Sequence, residues 1–400
     1  MDNFTLFTTD FIDEQYVNRI ITNKIPENIA LDYKRELKIG KGDERKEFLF
    51  DITAFSNTEG GLLIFGIEEE KDNEGRNTGI PKEIVGLTIS NIDALTLQIE
   101  DLVKSSIQPS LANLLIKLFE IDSKSILVIG VPKHYGLPHM VTYNSSNKFY
   151  KRNNSGKYLV DVFELNQMFM INNELQEKAK QFVQDRFQMV NSGDFLTNLD
   201  TANFTFIHII PLSFTQNQIR LTNNEDVNEI NNLFRSSSSP ITNYHNFEGY
   251  IMSSIIPNPP HINSYVQVFR NGIIESFSND FHEKMNFENH TEYYIVDRFE
   301  IHCIELIQQA LTYFSKKNIY SPILVFVSIF GLKNYKILTG SPYRYSKPIN
   351  RNSLIIPPIL IKTNPCDIDS ELKPIFDILW QSSGVQKSIN YNDSGKRLKK

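Results

Sequence analysis

Two stretches hold acids and a lysine at spacings suited to work on a phosphate ester. In ENIALDYKREL (27–37) alternate side chains of an extended chain share a face, which sets Asp32, Lys34 and Glu36 on one side and Leu31, Tyr33 and Leu37 on the other. Glu27 precedes this strand behind Pro26, and Glu68, Glu69 and Glu70 close the apolar run in NTEGGLLIFGIEEE (57–70). Carboxylate oxygens are the ligands that hard cations such as Mg²⁺ and Mn²⁺ prefer. Convergence of Glu27, Asp32 and one or more of Glu68, Glu69 and Glu70 would make a site for such an ion. The metal would lower the pKa of bound water, and Lys34 would offset charge building on a phosphate under attack. The competing reading is a half-buried strand with one polar face and solvated acids past a strand end.

KFYKRNNSGK (148–157) sets Lys148, Lys151, Arg152 and Lys157 around Phe149 and Tyr150, a mixture suited to backbone phosphates with base stacking. Its alternative is an edge strand protected by charge. Arg344, Lys347 and Arg351 in SPYRYSKPINR are either a phosphate-contacting loop or a solvated one. No GxGxxG occurs and no Gly-Lys pair precedes Ser or Thr, which excludes a standard P-loop ATPase. The glycines of NTEGG can form a backbone nest for a phosphate or a tight helix-to-strand turn. His139 can reach a substrate or be a plain loop histidine, and Cys303 reads as a small core residue on a helix rather than a nucleophile.

The elements that must position these residues follow from periodicity. A short helix is expected over 11–23, the opening strand over 29–38, and a helix over 43–56, where Phe48, Leu49, Ile52 and Phe55 recur at three- and four-residue spacing. Ser90 and Asp93 read as a capping box for a helix over 91–105. Strands at 112–121, 125–132 and 147–152 complete an α+β unit, and a helical stretch near 161–190 leads out of it. Beyond residue 194, YVQVFRNGIIESF (265–277) reads as a hairpin with a type I′ turn at Asn271-Gly272. RSSSSP (235–240) reads as a loop. A helix over 297–317, a strand over 321–330 and a helix over 370–383 give this region its own alternation. The expected organisation is 1–165, a helical connector over 166–193, and a second α+β domain over 194–400.

Four hundred residues exceed one ordinary core, and 40% hydrophobic content with 12% aromatic suffices to fill two. A net charge of −6 excludes nucleic-acid binding by bulk charge while leaving room for a local basic groove. Cys303 and Cys366 show no CxxC spacing, so neither a disulfide framework nor a cysteine zinc site is available, and a reducing compartment is expected. No basic segment followed by an apolar run opens the chain, and SPILVFVSIFG (321–331) is too short to span a membrane. A cytoplasmic protein is expected.

LDYKREL, DITAFSNTEGGLLIFGIEE, IVGL, IQPSL, ILVIGVPKHYGLPHMV and FYKRNNSGKYL, in that order over residues 12–165, resemble the Schlafen AlbA-like domain family. HIIPL, VQVFRNGIIE and IFDILWQSSG look like the C-terminal region that often accompanies this domain in stand-alone bacterial proteins. The resemblance implies a metal-dependent endoribonuclease with a three-carboxylate site that cuts transfer RNA or related structured RNA, in the setting of antiphage defence. In the family a glutamate, four residues and Glu-Phe-Lys are followed, after the Ala-Phe-Asn-Thr-x-Gly-Gly strand, by Gly-Val-Asp-Asp. Matched to that pattern, Glu27 is the first acid, Asp32 the second and Glu69 the third, with Glu68 in reserve. Asp32 replaces a glutamate and Glu69 an aspartate. Mg²⁺ or Mn²⁺ is implied, with Lys34 stabilising the transition state and Lys151 and Arg152 positioning the backbone. Metazoan relatives place two such lobes around their RNA, so one lobe here implies a homodimer. The competing function is a non-catalytic nucleic-acid or nucleotide-binding regulatory or sensor module.

Overall fold

The computed structural model describes residues 12–111, 113–193, 199, 201–216, 219, 221–222, 224–234, 241–257, 260–286, 291–295, 298–319, 322–337, 346–362 and 366–398. The chain divides into two units, residues 1–174 and 175–400, each a mixture of helices and sheets.

In the first unit, helix α1 (Glu14–Thr22) starts at Asp13, whose carboxylate accepts the Tyr16 N–H at 2.7 Å, and buries Val17 and Ile20. Strand β1 (Leu31–Lys34) follows, then helix α2 (Asp43–Ser56) and strand β2 (Gly61–Phe65). Glycine sets the spacing between these last two. A Cβ on Gly61 would stand 2.1 Å from the Phe55 ring and 2.8 Å from the Ala30 carbonyl, so the paired glycines let the helix return closely onto the sheet. That is the tight turn, the plainer of the two readings of NTEGG.

The acidic run does not simply end β2. Gly66 takes φ +96°, and the chain leaves the sheet there to form a separate hairpin of β3 (Ile67–Lys71) and β4 (Asn77–Ile84). Helix α3 (Ile92–Ser106) is capped by Asn91, which accepts the Ala94 N–H at 3.0 Å, rather than by the expected Ser90 box. Strands β5 (Ile107–Gln108), β6 (Leu115–Ile121), β7 (Lys124–Val131), β8 (Met140–Val141), β9 (Lys148–Asn153) and β10 (Gly156–Leu159) complete the unit.

Two four-stranded sheets result, ordered β1-β2-β7-β6 and β10-β9-β8-β5. Helix α2 lies between them, which explains why Phe48 through Ser56 are all buried instead of one stripe. Parity then sorts the strands. Leu31, Tyr33, Leu62 and Ile64 pack with α1, whereas Leu63 and Phe65 pack with α2. Because β1 runs parallel to β2 with Asp32 opposite Leu63, Asp32 and Lys34 face α2. Strand β9 is an inner strand of its sheet, so its basic residues are not the guard of an edge; β10 is the edge.

Helix α4 (Val162–Ser192) carries the chain into the second unit, covering most of the expected connector. That unit holds β11 (Phe204–Pro211), α5 (Asn224–Phe234), β12 (Ile241–His245), β13 (Gly249–Pro257), β14 (Pro260–Phe269), β15 (Ile274–Ser278), β16 (His282–Asn286) and β17 (Thr291–Ile295). It continues with α6 (Arg298–Lys316), β18 (Ile323–Phe330), β19 (Tyr335–Ile337), β20 (Ser353–Ile355), β21 (Ile359–Ile361) and α7 (Ile368–Ser382). The main sheet is ordered β12-β13-β14-β15-β11-β18-β20, with β21 also on β18. Helices α5, α6 and α7 cover the face that carries Ile207 and Ile209, and Cys303 is buried in that core. The 270–272 turn differs from the expected type I′. Only Gly272 has positive φ, and Phe269 bonds both Gly272 and Ile273, the pattern of a type I turn with a glycine bulge. The RSSSSP segment lies outside the described residues. Among the described residues no helix is long and apolar enough to cross a membrane.

Gly61→Ala is expected to lower the unfolding free energy by about 1–3 kcal/mol, because Phe55 and the Ala30 backbone must both give way. Urea denaturation of the variant checks it; an unchanged midpoint would mean that the helix does not need this approach.

Candidate functional site

The side chains that chemistry would use gather around the α2-facing side of β1. Asp32 is buried, 5% exposed, and is held from two directions. Lys34 Nζ stands 2.5 Å from Oδ2, and Arg152 Nη2 donates to Oδ1 at 3.1 Å. Burial pushes the Asp32 carboxyl up, but Lys34 and Arg152 outweigh it and hold it below its ordinary value. Arg152 is fixed in turn by the Phe55 ring, 4.1 Å from its Cζ, and by its own N–H on Thr58 Oγ1 at 2.9 Å.

Glu27 reaches the same place from the chain ahead of β1. Its Oε1 accepts the Tyr33 N–H at 2.7 Å, and its own N–H donates to the Gly79 carbonyl of β4 at 2.7 Å. Burial, and after it the charges of Asp32 and Glu69, raise the Glu27 carboxyl to about 8. Glu69 sits across the β3–β4 hairpin, accepting the Gly79 N–H at 3.0 Å and the Asn77 amide at 2.9 Å. Its neighbours are committed elsewhere: Glu68 pairs with Arg35, and Glu70 with Lys24. Of the three acids that close the strand, Glu69 therefore shares a neighbourhood with Glu27 and Asp32. Gly79 is part of this geometry, since a Cβ there would come within 3.2 Å of the Glu27 side chain.

A second layer comes from α2. Asp51 is 6% exposed; its Oδ1 holds Lys157 Nζ at 2.7 Å and its Oδ2 lies 4.0 Å from Lys34 Nζ. Glu47 adds a further contact to Lys157 at 2.8 Å. Neither Asp51 nor Glu47 stands out in the sequence. The signal was an acid amid Phe50, Ile52 and Phe55 on a helix otherwise read by its apolar spacing.

Residues 27–161 match the family described as Schlafen, AlbA_2. The chain carries a Schlafen AlbA_2 domain. The family suggests a nucleic-acid-related function. Two solved structures are similar: the N-terminal domain of a RecG-related protein from Nitrosomonas europaea and the DIP2311 protein from Corynebacterium diphtheriae. The first shares 19% identity over 35% of this chain and 86% of that one, with a TM-score of 0.27. The second shares 19% identity over 38% of this chain but only 30% of that one, with a TM-score of 0.26. No curated protein matches the chain.

Within the AlbA_2 domain the basic residues part company. Lys148 is exposed on β9, and Lys151 is partly exposed, 3.9 Å from Glu164. The Arg152 side chain, expected from the sequence to position a nucleic-acid backbone, is only 2% exposed, and its guanidinium is paired with Asp32. Lys157 is likewise bound inward, to Asp51 and Glu47. His139 is a buried histidine, its Nδ1 2.7 Å from the Pro109 carbonyl, and burial lowers it to about 4. In the second unit Lys347 and Arg351 are exposed, and Arg344 lies outside the described residues.

For a divalent ion the donor chemistry of the AlbA_2 site is suitable. Glu27, Asp32 and Glu69 are hard oxygen donors whose mutual repulsion a cation would relieve. Their placement is not a closed cage. Among the described residues no group of three His, Cys, Asp or Glu side chains is disposed to hold a metal, and Asp32 and Glu69 already accept N–H groups.

Two stability effects follow. Glu27 keeps its proton in the folded chain up to about pH 8 but loses it near its ordinary value of 4.5 when unfolded. The folded state thus binds more protons between these values, and this residue's contribution to stability falls as pH rises across that window. Glu27→Gln should raise the melting temperature at pH 9 and change it little at pH 4; an equal shift at both would sink the assignment. Asp32→Ala leaves Arg152 buried without its partner and should cost about 3–5 kcal/mol, read by chemical denaturation, whereas Asp32→Asn retains an acceptor and should cost less.

Proposed function

We propose that the AlbA_2 domain is a metal-dependent endoribonuclease that cuts transfer RNA or related structured RNA. The observation that supports it best is the elevated carboxyl of Glu27, raised by burial and by Asp32 and Glu69 beside a partly exposed lysine. Carboxylates crowded until one holds its proton near neutral pH are common at functional sites. In this reading Glu27, Asp32 and Glu69 are the ligands of Mg²⁺ or Mn²⁺. A bound ion would lower the pKa of a water and offer positive charge to the phosphate oxygens. Lys34, 36% exposed at its side chain, reaches the scissile phosphate from the same strand face as Asp32. Arg152 keeps the Asp32 carboxylate in place, and Lys148 and Lys151 meet the RNA backbone. A homodimer, with the second copy forming the other wall of the RNA cleft, and a role in antiphage defence belong to the same reading.

A second reading, a non-catalytic nucleic-acid-binding module with a regulatory or sensor role, is favoured by the way Lys34 and Arg152 together neutralise Asp32.

Incubation of the purified protein with total transfer RNA and Mn²⁺ or EDTA, beside the Glu27→Gln/Asp32→Asn double variant, separates the two on a denaturing gel. Nuclease activity gives discrete fragments that need Mn²⁺ and vanish in the variant. Intact RNA in every lane, with RNA retarded equally by both proteins on a native gel, would reject the nuclease in favour of the binding module. Light scattering tests the homodimer.

A further inference from the structure

The Lys34 ammonium has two buried carboxylates within reach. It stands 2.5 Å from Asp32 Oδ2 and 4.0 Å from Asp51 Oδ2, and both carboxylates are nearly closed to solvent. Asp51 is oriented by its other oxygen, because Lys157 bonds Oδ1 at 2.7 Å. Lys157 is itself anchored to α2 a turn earlier, by the Glu47 carboxylate at 2.8 Å and the Glu47 carbonyl at 3.2 Å. Asp51 therefore bridges Lys34 of β1 and Lys157 of β10 with one oxygen apiece.

This matters because Lys34 and a metal ion would compete for Asp32. An ion held by Asp32 would repel an ammonium 2.5 Å from the same carboxylate. With only solvent as the alternative, Lys34 would swing away and be lost to the phosphate. Asp51 offers a nearer resting place: a shift of little more than an ångström makes its contact a hydrogen bond. A lysine ammonium has three N–H donors, so one that moves to Asp51 keeps others for a phosphoryl oxygen.

We propose that Asp51, fixed by Lys157, is a positioning residue that receives the Lys34 ammonium when Asp32 is engaged and holds it at the reacting phosphate. The proposal rests on the nuclease reading for its purpose, but the two-seat arrangement stands on geometry alone. It takes Lys157, expected from the sequence to touch nucleic acid, and makes it a support of the lysine that does.

A crystal structure of the Asp32→Asn variant tests the second seat without RNA or metal. The expected result is Lys34 Nζ at hydrogen-bond distance from Asp51 Oδ2; Lys34 turned to solvent, or left on the substituted side chain at 4.0 Å from Asp51, would overturn the proposal. In the wild-type background, Asp51→Asn should lower the single-turnover cleavage rate about tenfold while leaving the RNA dissociation constant within twofold, a split that general misfolding does not produce. Lys157→Met, which releases Asp51 from the other side, should give the same split and serves if Asp51→Asn does not fold. Unchanged cleavage in both variants would equally overturn it. If the wild type cleaves no RNA, the nuclease reading fails and the Asp32→Asn structure still decides whether Asp51 is a seat for Lys34.

Discussion

A carboxylate that has lost nearly all contact with water remains ionised only if cations and donors replace the solvent. Asp32 is that group here, and most of the first unit can be read as the means of keeping it charged. Strand β1 supplies Lys34 two residues on. Strand β9, more than a hundred residues later, supplies Arg152, whose position depends on Phe55 and Thr58 at the end of α2. Helix α2 must therefore lie close to both sheets, and Gly61 is the residue that permits it. The same helix brings Asp51 to the site, so packing and charge placement cannot be separated.

What could be read in the sequence is what depends on short-range periodicity. The two-residue repeat of a strand puts Asp32 and Lys34 on one face, and the ion pair between them reflects it. The apolar spacing of 43–56 delimits α2 to the residue. Long-range pairing escaped it. Lys148–Lys157 reads as a basic surface, and nothing local distinguishes Arg152, drawn inward by Asp32, from Lys151 beside it. Asp51 escaped because an acid on a helix is ordinarily a solvent-facing residue, whereas a helix between two sheets has little such face. The spacing alone does not separate Glu69 from Glu68 and Glu70, which the family pattern did; in the fold the irregular register of the β3–β4 hairpin, with shifts on both sides of Glu69, turns it toward Gly79.

The second unit solves a similar burial problem with closed networks. Glu275, wholly buried on β15, takes two bonds from Arg186 of α4 and one each from His208 and Tyr265. Glu300 of α6 accepts from Trp380, Ser388, Asn390 and Arg397, tying the end of the described chain to the helical layer. In each, the carboxylate oxygens are saturated by groups that pack tightly around them. On the Glu27 side of the first unit the carboxyl is raised, by burial first and then by the charges of Asp32 and Glu69.

The pairing of Lys34, Arg152 and Lys157 with Asp32, Asp51 and Glu47 also shapes the field outside the protein. Three cations matched by three carboxylates at contact distance project little potential beyond a Debye length, and the whole chain carries an excess of negative charge. A polyanion approaching this face is not steered toward it from afar. For the function proposed above, encounter would be left to diffusion, and selection would fall to the fit made after contact.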